Sequence, residues 1–126
     1  MGRSREPAMD LQPQQVLRLR IPLEDFIAMG PGKATLLEAI LETGSISAAG
    51  RRLGMSYRKA WQLVDQMNHC FTSPVVTAMT GGAGGGGARV TELGLEALRQ
   101  YRALETRAWE AIQPGLGAFS RLLQQP

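Results

Sequence analysis

Cysteine occurs once in these 126 residues, at Cys70, and histidine once, at His69. A single cysteine excludes an internal disulfide framework and a multi-cysteine zinc site, and His69-Cys70 has no companion ligands at metal-binding spacing. No apolar run approaches the ~20 residues of a membrane span, and the opening MGRSREPAMD has no apolar signal-peptide core. Paired carboxylates at catalytic spacing are lacking. So is the Gly-Lys-Ser or Gly-Lys-Thr step of a phosphate-binding loop. The sequence therefore predicts a cytoplasmic chain, not an enzyme, with no catalytic residue, metal or cofactor and no membrane partner. A chain of this length can bury roughly 65% of its unfolded surface, enough to fold without staples.

Acid is scarce in one stretch in particular. The net charge is only +3, yet residues 1–31 and 91–126 each balance four cations against four anions. The excess sits in residues 32–90, and no Asp or Glu occurs between Glu42 and Asp65, where Arg51, Arg52, Arg58 and Lys59 fall. A basic patch on a nearly neutral body suits a polyanionic partner.

Residues 1–15, polar and carrying Pro7 and Pro13, read as a disordered lead. Val16 to Ile21 alternates apolar and charged residues, the pattern of a short strand. Leu23 to Met29 reads as a turn of helix, and Gly30-Pro31-Gly32 as a break. From Lys33 to Thr43 apolar residues recur at helical spacing, and Gly44 stops the helix. Ser45 caps a second helix ending at Gly54. Ser56 caps a third, on which Ala60, Leu63, Val64, Met67 and Phe71 face inward. Two helices meeting at the tight turn Leu53-Gly54-Met55-Ser56 outline a helix-turn-helix.

Two short strands follow, Val75–Met79 and Ala88–Val90, with a glycine tract between them. A hairpin directly after the third helix is the wing of a winged helix. Thr91 caps a long helix running to about Ile112, which Gln113-Pro114-Gly115 ends, and residues 116–123 suggest one more short helix. The expected fold is mainly α with a small β-hairpin, a winged helix-turn-helix at 16–112 with the long helix at 91–112. Residues 113–126 form a short C-terminal segment. Leu95, Leu98, Tyr101 and Trp109 lie in an apolar band on the long helix that exceeds what one small core covers. A second copy of the chain is the expected partner, giving a homodimer. The competing expectation folds residues 116–123 back over that band.

The third helix carries the candidate binding residues. Arg58 and Lys59 can donate to guanine O6 and N7, and Gln62 can pair with adenine. Tyr57 and Trp61, four residues apart, form an aromatic ledge for a thymine methyl or a sugar, although Trp61 also suits a core position. Arg51 and Arg52 suit phosphates, as do Ser47 and Ser56 through their hydroxyls and Arg89 at the base of the wing. Gly82, Gly84, Gly85, Gly86 and Gly87 make a wing that can lie close to a DNA backbone.

Taken together, Gly44-Ser45-Ile46-Ser47, Ser56-Tyr57-Arg58-Lys59-Ala60-Trp61, Met67-Asn68 and the tract Gly81–Ala88 resemble the N-terminal DNA-binding domain of the ModE family. These are bacterial molybdate-responsive transcription regulators with a helix-turn-helix of LysR type. The resemblance covers about residues 16–112. It implies a homodimer on double-stranded DNA, with the second and third helices at the major groove. The first and last helices would pair subunits, which adds Leu37 to the dimerisation residues. The family's C-terminal oxyanion-binding modules, with their serine-alanine-arginine-asparagine motif, have no counterpart in these residues, so no effector site carries over and no tight molybdate binding is expected.

The function expected is a sequence-specific transcriptional regulator of molybdenum-related genes, associated with the nucleoid when bound to DNA. The alternative is a protein-interaction module that partners a separate sensor or the transcription machinery.

Overall fold

The computed structural model describes residues 13–79 and 86–124, which fall into two units, residues 20–101 and residues 13–19 together with 102–124. The larger unit opens with a β-hairpin, β1 (Ile21–Leu23) and β2 (Phe26–Met29), where a turn of helix was expected. The strands pair antiparallel, Leu23 opposite Phe26 and Ile21 opposite Met29, with an irregularity beside Pro22. Glu24 makes the turn at φ 54°, a left-handed conformation taken without a glycine. Phe26-Ile27-Ala28-Met29 is too short an apolar run to distinguish helix from strand by period alone, which is why the spacing misled. Ala28 and Met29 are buried, and β2 lies against the third helix of this unit.

Helix α2 (Pro31–Thr43) starts two residues earlier than its apolar spacing indicated, because Pro31 supplies the φ of a first helical residue and lacks an N–H to leave unpaired. Gly44, at φ 73°, closes it by donating its N–H to the Ile40 carbonyl at 2.7 Å. Leu36, Leu37 and Ile40 are fully buried and form the centre of the core with Val64, Met67 and Val75. Leu37, expected to meet a second subunit, is buried in the core of its own chain. Each such side chain contributes about 1.5–3 kcal/mol by leaving water.

Helix α3 (Ile46–Arg52) begins at Ser45, whose Oγ accepts the Ala48 N–H at 3.0 Å. Helix α4 (Tyr57–Cys70) begins at Ser56, whose Oγ accepts the Lys59 N–H at 3.0 Å. Between them Gly54 turns at φ 72°. The two helices approach closely at Gly50, where an added Cβ would sit 3.2 Å from that of Ala60. This is the expected helix-turn-helix, caps included.

Strands β3 (Val76–Met79) and β4 (Gly87–Val90) pair antiparallel, Val76 opposite Val90 and Met79 opposite Gly87. Val76, Ala88 and Val90 face inward, in the alternation a half-buried hairpin requires. Helix α5 (Glu92–Ser120) follows, capped by Thr91, whose Oγ1 accepts the Gly94 N–H at 3.0 Å. Helix, turn, helix and hairpin in this order make a winged helix.

Helix α5 does not stop at Gln113-Pro114-Gly115 but runs through Pro114 to Ser120. A proline removes one helix bond, and the bonds on either side carry the helix past it. Residues 116–120 continue the helix rather than folding back, and Phe119, Leu122 and Leu123 are exposed. In the same unit, α1 (Pro13–Val16) is a single helical turn closed by Leu17 N–H on the Pro13 carbonyl at 2.8 Å. It replaces the end of the expected disordered lead. Residues 17–20 have no regular structure where a strand was expected, and the remainder of the lead lies outside the described residues.

Candidate nucleic-acid interface

Helix α4 buries Ala60, Val64 and Met67 and presents the opposite side to solvent. At 100° per residue, Tyr57, Trp61, Asp65, Arg58, His69 and Gln62 fall within a stripe about 140° wide. Tyr57, Arg58, Trp61, Gln62 and Asp65 line one shallow groove. Tyr57 is 60% exposed and Trp61 40%, so neither is a core residue. Their rings meet edge to face, 6.2 Å between centroids at 71°, a favoured aromatic arrangement that stiffens both. Lys59, grouped with Arg58 on the sequence, is exposed on the flank of the stripe, about 100° from Arg58 around the helix.

The cations around α4 differ in how free they are. Arg51, Arg58 and Arg89 are exposed, and Arg89 stands opposite Thr77 on β4. Arg52 is held by an ion pair from its Nη1 to Glu42 Oε1, so a phosphate would compete with that carboxylate. Ser47 is half-buried, its Oγ 3.2 Å from Ser45 Oγ, and the Ser56 oxygen already caps α4. Gly86 and Gly87 belong to the described hairpin, whereas Gly82, Gly84 and Gly85 lie outside the described residues.

What holds the hairpin beside α4 was not foreseen from the sequence. Asn68 accepts the N–H groups of Val75 and Val76 at 2.8 and 3.2 Å and donates Nδ2 to the Val76 carbonyl at 3.0 Å. The other strand is tied to the α2–α3 turn by the Ala88 N–H on the Gly44 carbonyl at 2.9 Å. A Cβ on Gly87 would come 2.9 Å from that same oxygen, so this glycine permits the close approach. Thr91 adds a third tie, donating Oγ1 to the Pro74 carbonyl at 2.8 Å. The hairpin base therefore moves with the helix-turn-helix. The only sequence signal was a polar residue, Asn68, facing a Ser-Pro loop.

Lys33, beneath this surface, is only 6% exposed and donates Nζ to the Ile27 carbonyl. Burial holds its pKa below the ordinary lysine value, nearby Cys70 opposes that shift, and the charge of Lys59 reinforces it. His69 Nδ1 donates to the Asp65 carbonyl at 2.8 Å, a bond within α4. Among the described residues no three His, Cys, Asp or Glu side chains cluster as metal ligands would.

On α5, Leu98 and Tyr101, expected at a dimer face, are buried within their own chain. Leu95, at 44% exposure, and Leu104 are open, and Trp109 is half-buried. Further along, the Glu105 carboxylate is buried and accepts from Arg102 Nη1 at 2.7 Å.

Residues 33–95, half the chain, match the family model of the bacterial regulatory helix-turn-helix proteins, lysR family. The chain is 49% identical over 77 residues to the molybdenum-pterin-binding protein MopB of Rhodobacter capsulatus, covering 61% of this chain and 28% of that protein. It is 39% identical over 98 residues to MopA of the same organism, 75% of this chain and 37% of that one. The DNA-binding transcriptional dual regulator ModE of Escherichia coli (strain K12) is 34% identical over 91 residues, 72% of this chain and 35% of that regulator. The chain thus spans about a third of the length of the curated relatives it matches.

Proposed function

This chain belongs to the lysR family of bacterial regulatory helix-turn-helix proteins, and from that premise we propose that it is a sequence-specific, double-stranded-DNA-binding regulator of molybdenum-related genes. The observation that carries the reading is the solvent stripe of α4, where donors and an aromatic ledge share one groove backed by a rigid helix-turn-helix. Recognition helices meet base edges through their N-terminal turns, and Tyr57, Arg58, Trp61 and Gln62 occupy the first two turns of α4. Arg58 reads guanine, Gln62 adenine, and the Tyr57–Trp61 ledge a thymine methyl. Arg51, Lys59 and Arg89 take phosphates, with Ser47 as a further donor, and the β3–β4 wing flanks the groove. The molybdenum link comes from the resemblance to ModE and the Mop proteins.

The protein acts as a homodimer through the flank of α5 that carries exposed Leu95 and half-buried Trp109, about 40° apart around the helix. Two-fold pairing sets two α4 helices at half-sites one helical turn or a multiple apart. The DNA-binding domain is residues 16–112. A second reading, a module that partners a separate sensor protein, draws on exposed Phe119, Leu122 and Leu123. No described helix is long and apolar enough to cross a membrane.

A gel shift with the promoter beside its own gene, against a scrambled duplex at two salt concentrations, tests the proposal. Tighter, salt-dependent binding of the promoter is expected. Equal binding to both duplexes at every salt rejects sequence-specific regulation.

A further inference from the structure

Asp65 is the single acid of α4, and it stands near the middle of the exposed stripe, flanked by Trp61 and Arg58. Its carboxylate lines the same groove as Tyr57, Arg58, Trp61 and Gln62. Its side chain is 71% exposed, and among the described residues its ion-pair contact is His69 Nδ1 at 3.6 Å, with no lysine or arginine. A carboxylate so placed is repelled by phosphate, and as an acceptor it cannot bond guanine O6 or N7 or thymine O4. The donors on the major-groove edge are the amino groups of cytosine and adenine. Adenine sets the acceptor N7 beside its amino group, which opposes the second carboxylate oxygen; cytosine has C5–H on that side, its acceptor neighbour being O6 of the paired guanine on the other.

We infer that Asp65 is a specificity-determining residue that accepts a hydrogen bond from cytosine N4 and disfavours duplexes that set guanine O6 and N7 or thymine O4 against it at that position. The inference rests on the DNA-binding reading of α4. Seven residues separate Asp65 from Arg58, about 10.5 Å along the helix axis. A helix following the groove therefore sets the two contacts up to about three base pairs apart. In complexes with unrelated DNA the same carboxylate lies close to phosphates without a fixed amino partner, so it weakens non-specific binding.

The test selects the chain, its Asp65→Asn and Asp65→Ala variants, and Arg58→Ala against a randomised duplex pool, then titrates the winning site and a scrambled duplex. The wild type should show a cytosine column within about three base pairs of the column that Arg58→Ala erases. Asp65→Asn should move that one column to adenine, Asp65→Ala should flatten it, and both should lose roughly tenfold of the discrimination there. Affinity for the scrambled duplex should rise about two- to fivefold at low salt, because a charge repelled by phosphate is gone. Asp65 is exposed, so both variants should keep the wild-type circular dichroism spectrum. Asp65 variants that return the wild-type motif, while Arg58→Ala loses a column, overturn the inference and leave the DNA reading standing. A wild type that enriches no motif rejects that reading itself.

Discussion

Helices α4 and α5 are both amphipathic, and their exposed faces differ in kind. On α4 the open face carries two aromatic rings in edge contact, an arginine, a glutamine and an aspartate around one groove. Along α5 the open positions include Leu95 and Leu104, on opposite flanks of the helix, and the polar groups beside them are already paired with one another, Arg99 and Gln100 with Glu96 and Arg102 with Glu105. A face of directional donors and acceptors gains from a partner with a fixed pattern of polar groups. An exposed leucine among paired charges gains only from another apolar surface. The contrast is what leads the proposed reading to give DNA to one helix and a second copy of the chain to the other.

The largest expected effect separates buried from open leucines. Leu37→Ala should cost about 2–5 kcal/mol in denaturant unfolding, because the cavity lies at the centre of the core. Leu95→Ala should change monomer stability by less than about 1 kcal/mol. Leu95→Glu should instead abolish self-association in sedimentation experiments at micromolar protein, since a charge would be buried in an apolar contact. A wild-type monomer under those conditions removes the role given to α5.

A smaller effect sharpens the other half of the contrast. Arg58→Ala should lose roughly 1–3 kcal/mol per subunit on cognate DNA and relax one position. Arg51→Ala should weaken all duplexes alike and lower the slope of log affinity against log salt by about 0.9. Identical behaviour of the two variants on cognate and random duplexes would refute this division.

The smallest effect concerns charge beneath α4. Lys33 gives up its proton at lower pH in the native state than in the unfolded chain, because burial disfavours its charge. Between those two values the unfolded state binds one more proton, so stability rises with pH across that window. Lys33→Met should flatten this rise in urea titrations from neutral to alkaline pH. Lys59→Ala should move its onset upward, since a like charge is removed. An unchanged rise in Lys33→Met assigns it to another group.

Local rules reached far in the middle of the chain and failed at its ends. Ser45, Ser56 and Thr91 cap where their position before an apolar-periodic segment indicated, and Gly44 and Gly54 turn where a left-handed residue was needed. Those signals act within four residues, so no distant contact can reverse them cheaply. Phe26–Met29 carried no such signal, and its strand is set by pairing with Ile21–Leu23 and by packing on α4. Pro114 read as a stop because a proline loses a helix bond and crowds the carbonyl one turn back, yet α5 absorbs both and runs on to Ser120.

The binding residues divide in the same way. Periodicity alone placed Tyr57, Arg58, Trp61 and Gln62 on one face, because a helix fixes which residues share a side. Which apolar residues of α2 and α5 stay open was decided by packing. Leu37, Leu98 and Tyr101 are consumed by the chain's own core while Leu95 and Leu104 are not, and composition does not distinguish them. Asn68 holding the hairpin, Gly87 admitting the Gly44 carbonyl and Glu42 claiming Arg52 are likewise contacts between residues 7 to 43 positions apart. The sequence by itself determined the helices, their caps and the chemistry of the α4 face, since these follow from neighbours along the chain. Only the tertiary structure decided which side chains remain free for a partner, because burial depends on elements that meet after the chain has folded.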